Sequence, residues 1–253
     1  MKPLILITND DGFAARGIRT LEEVAREFGD VVVMAPGGNS SGKSLCITID
    51  HPMRVREVQN EDWLKKYACN GTPVDCVKLA TEYFCPRRPA LVLSGINHGS
   101  NSSINVLYSG TMGAVLEATA LGFPAIGFSL LNHSPKADFS ACIPYVRHII
   151  GQVLEHGLPD YTALNVNIPR LEAQDIKGIR VCHQARSKWT DSFVKRIDPR
   201  ERPYWWLTGK FVCDNPPDTS DEWALANGYV SVVPISPDYT YYASLDPVKQ
   251  LLQ

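Results

Sequence analysis

Apolar residues in this chain come in short unbroken runs, separated by polar or amphipathic stretches. Leu4-Ile5-Leu6-Ile7-Thr8, Asp30-Val31-Val32-Val33-Met34-Ala35, Ala90-Leu91-Val92-Leu93-Ser94-Gly95-Ile96 and Ala125-Ile126-Gly127-Phe128-Ser129-Leu130 are the clearest. Such runs read as strands buried on both faces, the habit of parallel sheets. Between the first two, Ile18, Leu21, Val24, Ala25 and Phe28 fall on one helical face, and Arg19, Glu22, Glu23, Arg26 and Glu27 fall on the others. Thr20 and Glu23 have capping-box spacing, a start one turn earlier being the alternative. Gly29 stops the helix. Strand, helix, strand at this spacing is a βαβ unit, whose crossover should be right-handed.

The alternation continues. A helical pattern resumes near Val74–Ala80, and Ser109-Gly110-Thr111 opens a small-residue helix that Gly122 and Pro124 end. A longer helix is expected over roughly 137–155, with Pro144 in its first turns, where proline is tolerated best. Tyr161–Ile168, Ile179–Cys182 and Gly228–Pro234 read as later strands, and residues 45–68 as short β-like pieces such as Leu45–Ile49. The pattern predicts an α/β fold, a Rossmann-like doubly wound and mostly parallel sheet, in a single domain over 1–253. From about Arg186 charge mixes with large aromatics (Trp189, Tyr204, Trp205, Trp206) and no helical period remains. Residues of approximately 186–216 are expected to form a projecting β-arm, and 237–253 a C-terminal tail with a short helix from Pro247. Arginine beside large aromatics suits an oligomer contact.

Composition narrows the function classes. The chain has 253 residues and a formal charge of -2. Neither the charge nor any basic cluster recommends a nucleic-acid polymer or a membrane surface as partner. With only Met1-Lys2-Pro3 before the first strand and no apolar run of membrane length, a cytoplasmic location is expected. The cysteines (46, 69, 76, 85, 142, 182 and 213) are scattered, odd in number and without a C-x-x-C pair, so reduced structural thiols are expected.

The chemistry gathers where apolar strands end. The loops are Asn9-Asp10-Asp11-Gly12, Asn39-Ser40-Ser41-Gly42, Ser94-Gly95-Ile96-Asn97-His98-Gly99-Ser100-Asn101 and Tyr108-Ser109-Gly110-Thr111. In a parallel sheet they would converge on one crevice. Two carboxylates with hydroxyl and amide oxygens are hard ligands for Mg²⁺, Mn²⁺ or Ca²⁺. The helix opening at Thr111 would offer free N–H groups to a phosphate. A competing motif is Gly37–Ser44, which matches the P-loop pattern of nucleoside triphosphatases and includes Lys43. Its mechanism needs a helix directly after the loop, yet Leu45-Cys46-Ile47-Thr48-Ile49 is β-branched and Pro52 follows. Asp75 reads as a helix cap and Glu117 as structural. His98 reads as a variable loop residue, with general acid as the sharper alternative. His51, His133, His148, His156 and His183 read as surface or structural.

In these loops, and in Gly71-Thr72-Pro73-Val74-Asp75-Cys76, Leu121–Ala125, Asn165-Val166-Asn167-Ile168-Pro169 and Gly228–Val232, the chain resembles the SurE family of nucleotidases or acid phosphatases over nearly its full length. The resemblance implies a divalent-metal-dependent phosphomonoesterase for nucleoside monophosphates, assembled as dimers or tetramers through its C-terminal extensions. By position it implies metal ligands Asp10, Asp11, Ser41 and Asn97, and phosphate contacts Asn101, Ser109, Gly110 and Thr111. Asp10, Asp11 and Asn101 would be catalytic, Lys43 and His98 being further candidates. An attacking water activated by the metal is the expected mechanism, an aspartyl phosphate the rival, and a non-catalytic nucleotide or metal sensor the non-enzymatic alternative. The family usually carries basic or bulky polar residues where Gly37, Gly38 and Ser40 stand, and proline at Arg16.

Overall fold

A computed structural model describes residues 2–253. In chain order the elements are β1 (Leu4–Thr8), α1 (Arg16–Ala25), β2 (Asp30–Pro36), β3 (Val55–Glu61), β4 (Leu64–Cys69), α2 (Pro73–Leu79), β5 (Leu91–His98), α3 (Gly110–Ala120) and β6 (Ala125–Leu130). There follow α4 (Ile143–His156), β7 (Ala163–Ile168), β8 (Ile179–Val181), β9 (Lys188–Ile197), β10 (Pro203–Val212), α5 (Asp221–Ala226), β11 (Val230–Ile235) and α6 (Leu245–Leu252). One sheet of nine strands runs β3-β4-β2-β1-β5-β6-β7-β11-β8. From β4 to β7 all neighbours are parallel, while β3 and β11 run antiparallel to β4 and β7. The expected mostly parallel, doubly wound sheet is what forms.

Alternation along β1 shows how both faces are filled. Ile5 and Ile7 join the cluster under α1 and α4, with Ile18, Leu21, Val146 and Ile150; Leu4 and Leu6 join the cluster under α2 and α3, with Val77, Met112 and Val115. All five β1 side chains, Thr8 included, are buried, because both faces of the sheet are covered and successive residues of a strand point to opposite faces. No helix is long and apolar enough to cross a membrane among the described residues, and all seven cysteines are free.

Two local expectations need correction, and for α1 the alternative start holds. α1 begins at Arg16, one turn before the Thr20–Glu23 spacing, and its N-cap Ala15 supplies no side-chain bond; Thr20 instead donates its hydroxyl to the Arg16 carbonyl. α4 begins at Ile143 rather than near 137, after a single 3₁₀ turn at Ser140–Cys142. Leu45–Ile49 forms no strand. It is an irregular segment with Ile47 and Ile49 exposed, because its backbone is bonded to a helix start and finds no ladder partner.

That helix start is α2. The Thr72 hydroxyl accepts from the Asp75 N–H while the Asp75 carboxylate accepts from the Thr72 N–H, a reciprocal cap. Asp75 also accepts from the Thr48 N–H at 3.1 Å and hydroxyl at 2.6 Å, and Thr72 donates to the Cys46 carbonyl at 2.7 Å. Burial pushes the Asp75 carboxyl up, but the bonds from Thr48 and Thr72 outweigh it and hold the group below the ordinary carboxylate value. Its contribution to stability is therefore full above the unfolded pKa and lost as pH falls through the lowered folded one. Asp75→Ala is expected to destabilise the protein by roughly 2–3 kcal/mol in urea unfolding at neutral pH, with a smaller difference in acid. An unchanged midpoint would show that the 46–48 segment is held by other contacts.

β9 and β10 pair only with each other, as an antiparallel hairpin whose side chains are mostly exposed. It occupies the segment expected to form an arm.

Candidate active site

β1 is flanked by β2 on one side and β5 on the other. The chain leaves β1 outward through β2 and returns to its opposite edge at β5. In open α/β sheets the crevice beyond the carboxyl ends at such a reversal is where ligands bind. The Asn9–Gly12 loop leaves β1 there, Asn39–Gly42 follows β2, and Asn97–Asn101 spans the tip of β5 and the loop beyond it.

Each loop is built to hold its shape. The Asn9 side chain donates to the Gly12 carbonyl at 3.0 Å and accepts from its N–H at 3.2 Å, closing the Asn-Asp-Asp-Gly turn on itself. Gly12 sits at φ 101°, a conformation glycine adopts without a Cβ clash. The Ser40 N–H donates to the Asp10 carbonyl at 2.6 Å, and Ser41 donates its N–H to the Asn39 side chain at 2.7 Å, so the second loop is fastened to the first. Ser44 bonds across to the Leu107 and Tyr108 carbonyls.

Asp10 is 3% exposed. Its Oδ1 accepts the Thr111 hydroxyl at 2.6 Å. Burial pushes its carboxyl upward, the Thr111 bond opposes this, and repulsion from Asp11 adds to the rise. Gly110 lets α3 come this near, since a Cβ there would lie 2.9 Å from the Asp10 Cβ. Asp11 accepts at Oδ2 from the His98 backbone N–H at 3.1 Å, with the His98 Nδ1 at 3.0 Å. No Lys or Arg pairs with either aspartate among the described residues. Asn97 donates its amide N–H to the Gly99 carbonyl, which leaves its Oδ1 as the free end. No group of three or more His, Cys, Asp or Glu gathers among the described residues. A cation here would rest on two carboxylates and neutral oxygens, a hard donor set that suits Mg²⁺, Mn²⁺ or Ca²⁺ and not the thiolate–imidazole chemistry of structural zinc.

Several expected residues meet in one cleft of about 710 Å³, lined by Asp10, Ser41, Asn97, Asn101 and Ser109. Asp11, Gly110 and Thr111 do not line it: Asp11 is engaged by His98 and Thr111 by Asp10. The Ser109 hydroxyl caps α3 by accepting from the Met112 N–H. Lys43 is exposed and outside the cleft lining. No helix follows Gly37–Ser44, so the P-loop reading lacks the geometry its chemistry needs. His98 is the last residue of β5 and does not lie in the loop beyond it. Its ring packs edge-to-face on Phe139 with centroids 4.9 Å apart and its Nδ1 contacts Asp11, which makes it a brace for that carboxylate.

The cleft also holds residues that local patterns did not reveal. Trp189, Asp191, Leu207 and Phe211 of the hairpin form a wall, and His133 and Glu222 line it as well. Glu222 accepts the Ser102 hydroxyl at 2.5 Å, and burial pushes its carboxyl above the ordinary value. The aromatic content of residues 186–216 was the one available signal for the wall. Glu222 comes from a short helix remote in sequence and carries no motif.

Known proteins resemble this chain in sequence and fold. A family model for survival protein SurE matches residues 5–191. The 5′-nucleotidase SurE of Christiangramia forsetii is 53% identical over 94% of this chain and 93% of its own length. The 5′-nucleotidase SurE of Flavobacterium psychrophilum is 49% identical over 96% of this chain and 95% of its own. The crystal structure of the SurE protein from Aquifex aeolicus superposes with a TM-score of 0.84 at 36% identity, covering 99% of this chain and 100% of that one. With its parallel sheet, its Asn-Asp-Asp-Gly turn and similarity of this extent, the chain belongs to the SurE family.

Proposed function

We propose that this protein is a divalent-metal-dependent phosphomonoesterase that hydrolyses nucleoside monophosphates, a 5′-nucleotidase. The observation that carries the reading is the adjacent carboxylate pair at the tip of a central strand, one member deeply buried and neither paired with a lysine or arginine among the described residues. Two such carboxylates, side by side without a lysine or arginine, are the arrangement a bound cation would complete. Asp10, Asp11, Ser41 and Asn97 would hold it, as Mg²⁺ or Mn²⁺. When bound, the cation supplies positive charge to the phosphoryl oxygens and raises the acidity of water. The chain's own residues do the remainder. Asn101, Ser109 and the first amides of α3 hold phosphoryl oxygens, His98 and Thr111 fix the two carboxylates, and the hairpin wall borders the space left for the nucleoside. Phosphoryl transfer depends chiefly on such positioning and charge stabilisation. Phe193, Ile197, Trp205 and Trp206, spread over both faces of the hairpin and all more than half exposed, are the residues through which copies would associate as dimers or tetramers.

The test is phosphate release from a panel of nucleoside 5′- and 3′-monophosphates with Mg²⁺, with Mn²⁺ and with EDTA. Release that needs metal and is fastest on a 5′-monophosphate is expected. If monophosphates survive while ATP is cleaved, and Lys43→Ala removes that cleavage, the triphosphatase reading takes its place.

A further inference from the structure

Asn165 and Asn167 belong to a motif that no step above uses, yet they stand inside β7, a sheet-interior strand flanked by β6 and β11, where apolar residues are the rule. They are 2% and 0% exposed. Being two apart on β7 they share a face, with Val166 and Ile168 buried beside them. A buried side-chain amide is destabilising unless its donors and acceptors are met, so its partners reveal what it is for.

Those partners converge on Asn101, the neighbouring Ser100 hydroxyl adding a longer bond to the Asn167 Oδ1 at 3.4 Å. The Asn101 N–H donates to the Asn167 Oδ1 at 2.8 Å, and the Asn165 Nδ2 donates to the Asn101 carbonyl at 2.8 Å. The two amides are joined, Asn167 Nδ2 donating to Asn165 Oδ1 at 2.9 Å. The Asn101 side chain is in turn linked to Ser129, a fully buried residue of β6, at 2.9 Å. Ser129 is the register partner of Asn167, so the three side chains come from one layer of the sheet. Asn101 itself lies in no helix or strand. Its backbone is therefore held at both ends by side chains, and its amide at a third point.

We propose that Asn165, Asn167 and Ser129 are positioning residues that fix Asn101 for contact with the transferring phosphoryl group. The inference rests on the reading of Asn101 given above and deepens it. A loop residue left free would sample several positions, whereas an electrostatic contact serves the transition state only when its place is set beforehand. Three bonds to the sheet supply that setting. A loop that merely needed its backbone satisfied could be met by water at the cleft surface; two buried asparagines and a buried serine aimed at one residue exceed that need.

The experiment is steady-state kinetics on a nucleoside 5′-monophosphate for Ser129→Ala and Asn167→Ala, each made in the wild-type chain and in Asn101→Ala, with thermal unfolding of every variant. Ser129→Ala removes one hydroxyl and carries the test should Asn167→Ala fail to fold. The expected result is a fall in kcat of about tenfold with KM within about twofold, and less than about a twofold further fall when the same change is added to Asn101→Ala. Equal losses in both backgrounds, or an unchanged kcat for Ser129→Ala, would overturn the positioning role and leave the role of Asn101 standing. An Asn101→Ala enzyme as active as wild type would overturn both.

Discussion

Asp10→Asn is expected to remove phosphomonoesterase activity by about 10³-fold or more. The substitution keeps the shape of the side chain and an oxygen for the Thr111 hydroxyl, now at 2.6 Å from Oδ1. What it removes is the charge. Metal polarisation is worth several kcal/mol of transition-state stabilisation, and about 4 kcal/mol corresponds to that factor. Burial and repulsion from Asp11 both work against the Asp10 charge, so the metal-free fold is not expected to weaken when it goes. Two measurements check this: kcat with saturating Mn²⁺, and the rise in melting temperature that Mn²⁺ produces. Both should collapse in the variant while its metal-free melting temperature holds. Retained activity together with a retained Mn²⁺ response would show that the cation binds elsewhere.

The largest expected effect on stability belongs to Gly17. A Cβ at this position would lie 1.9 Å from the Ile96 carbonyl oxygen and 2.9 Å from its carbon. These are backbone atoms of the central strand β5, so no side chain can swing aside to make room. Gly17→Ala must push α1 off the sheet or bend β5, immediately before Asn97. Overpacking of this kind costs about 3 kcal/mol. Gly38→Ala is the control, because a Cβ added there would meet nothing within 4 Å; it should leave the urea midpoint nearly unchanged. Equal midpoints for the two variants would mean that α1 does not ride so close on β5.

Much of this architecture could be read from local pattern. Leu4–Thr8 and Asp30–Ala35 are unbroken apolar runs because both faces of β1 and β2 are covered, and the Thr72–Asp75 cap is written in adjacent residues. The start of α1 was not legible, since Ala15 offers no capping side chain. The β-branched Leu45–Ile49 segment misleads because its conformation is decided by Asp75 and Thr72, which lie 27 and 26 residues away for the bonds concerned. The same reason hid much of the site. Asp11 meets His98 across 87 positions, Asn101 meets Asn165 across 64, and Ser102 meets Glu222 across 120. Short motifs mark the loops that carry the chemistry. They do not say which side chain leans on which.

The two ends of the nine-stranded sheet carry a further consequence. One end is β3, with Arg56, Glu57, Gln59, Asn60 and Glu61 and a register shift between Glu57 and Gln59. The other is β8, three residues long. An open edge with a long row of unpaired backbone groups is a template on which further chains can add and aggregate. Here one border is charged and broken by its bulge, and the other is too short to seed a neighbour. A wide sheet with a largely apolar interior is thereby kept from growing beyond its own chain.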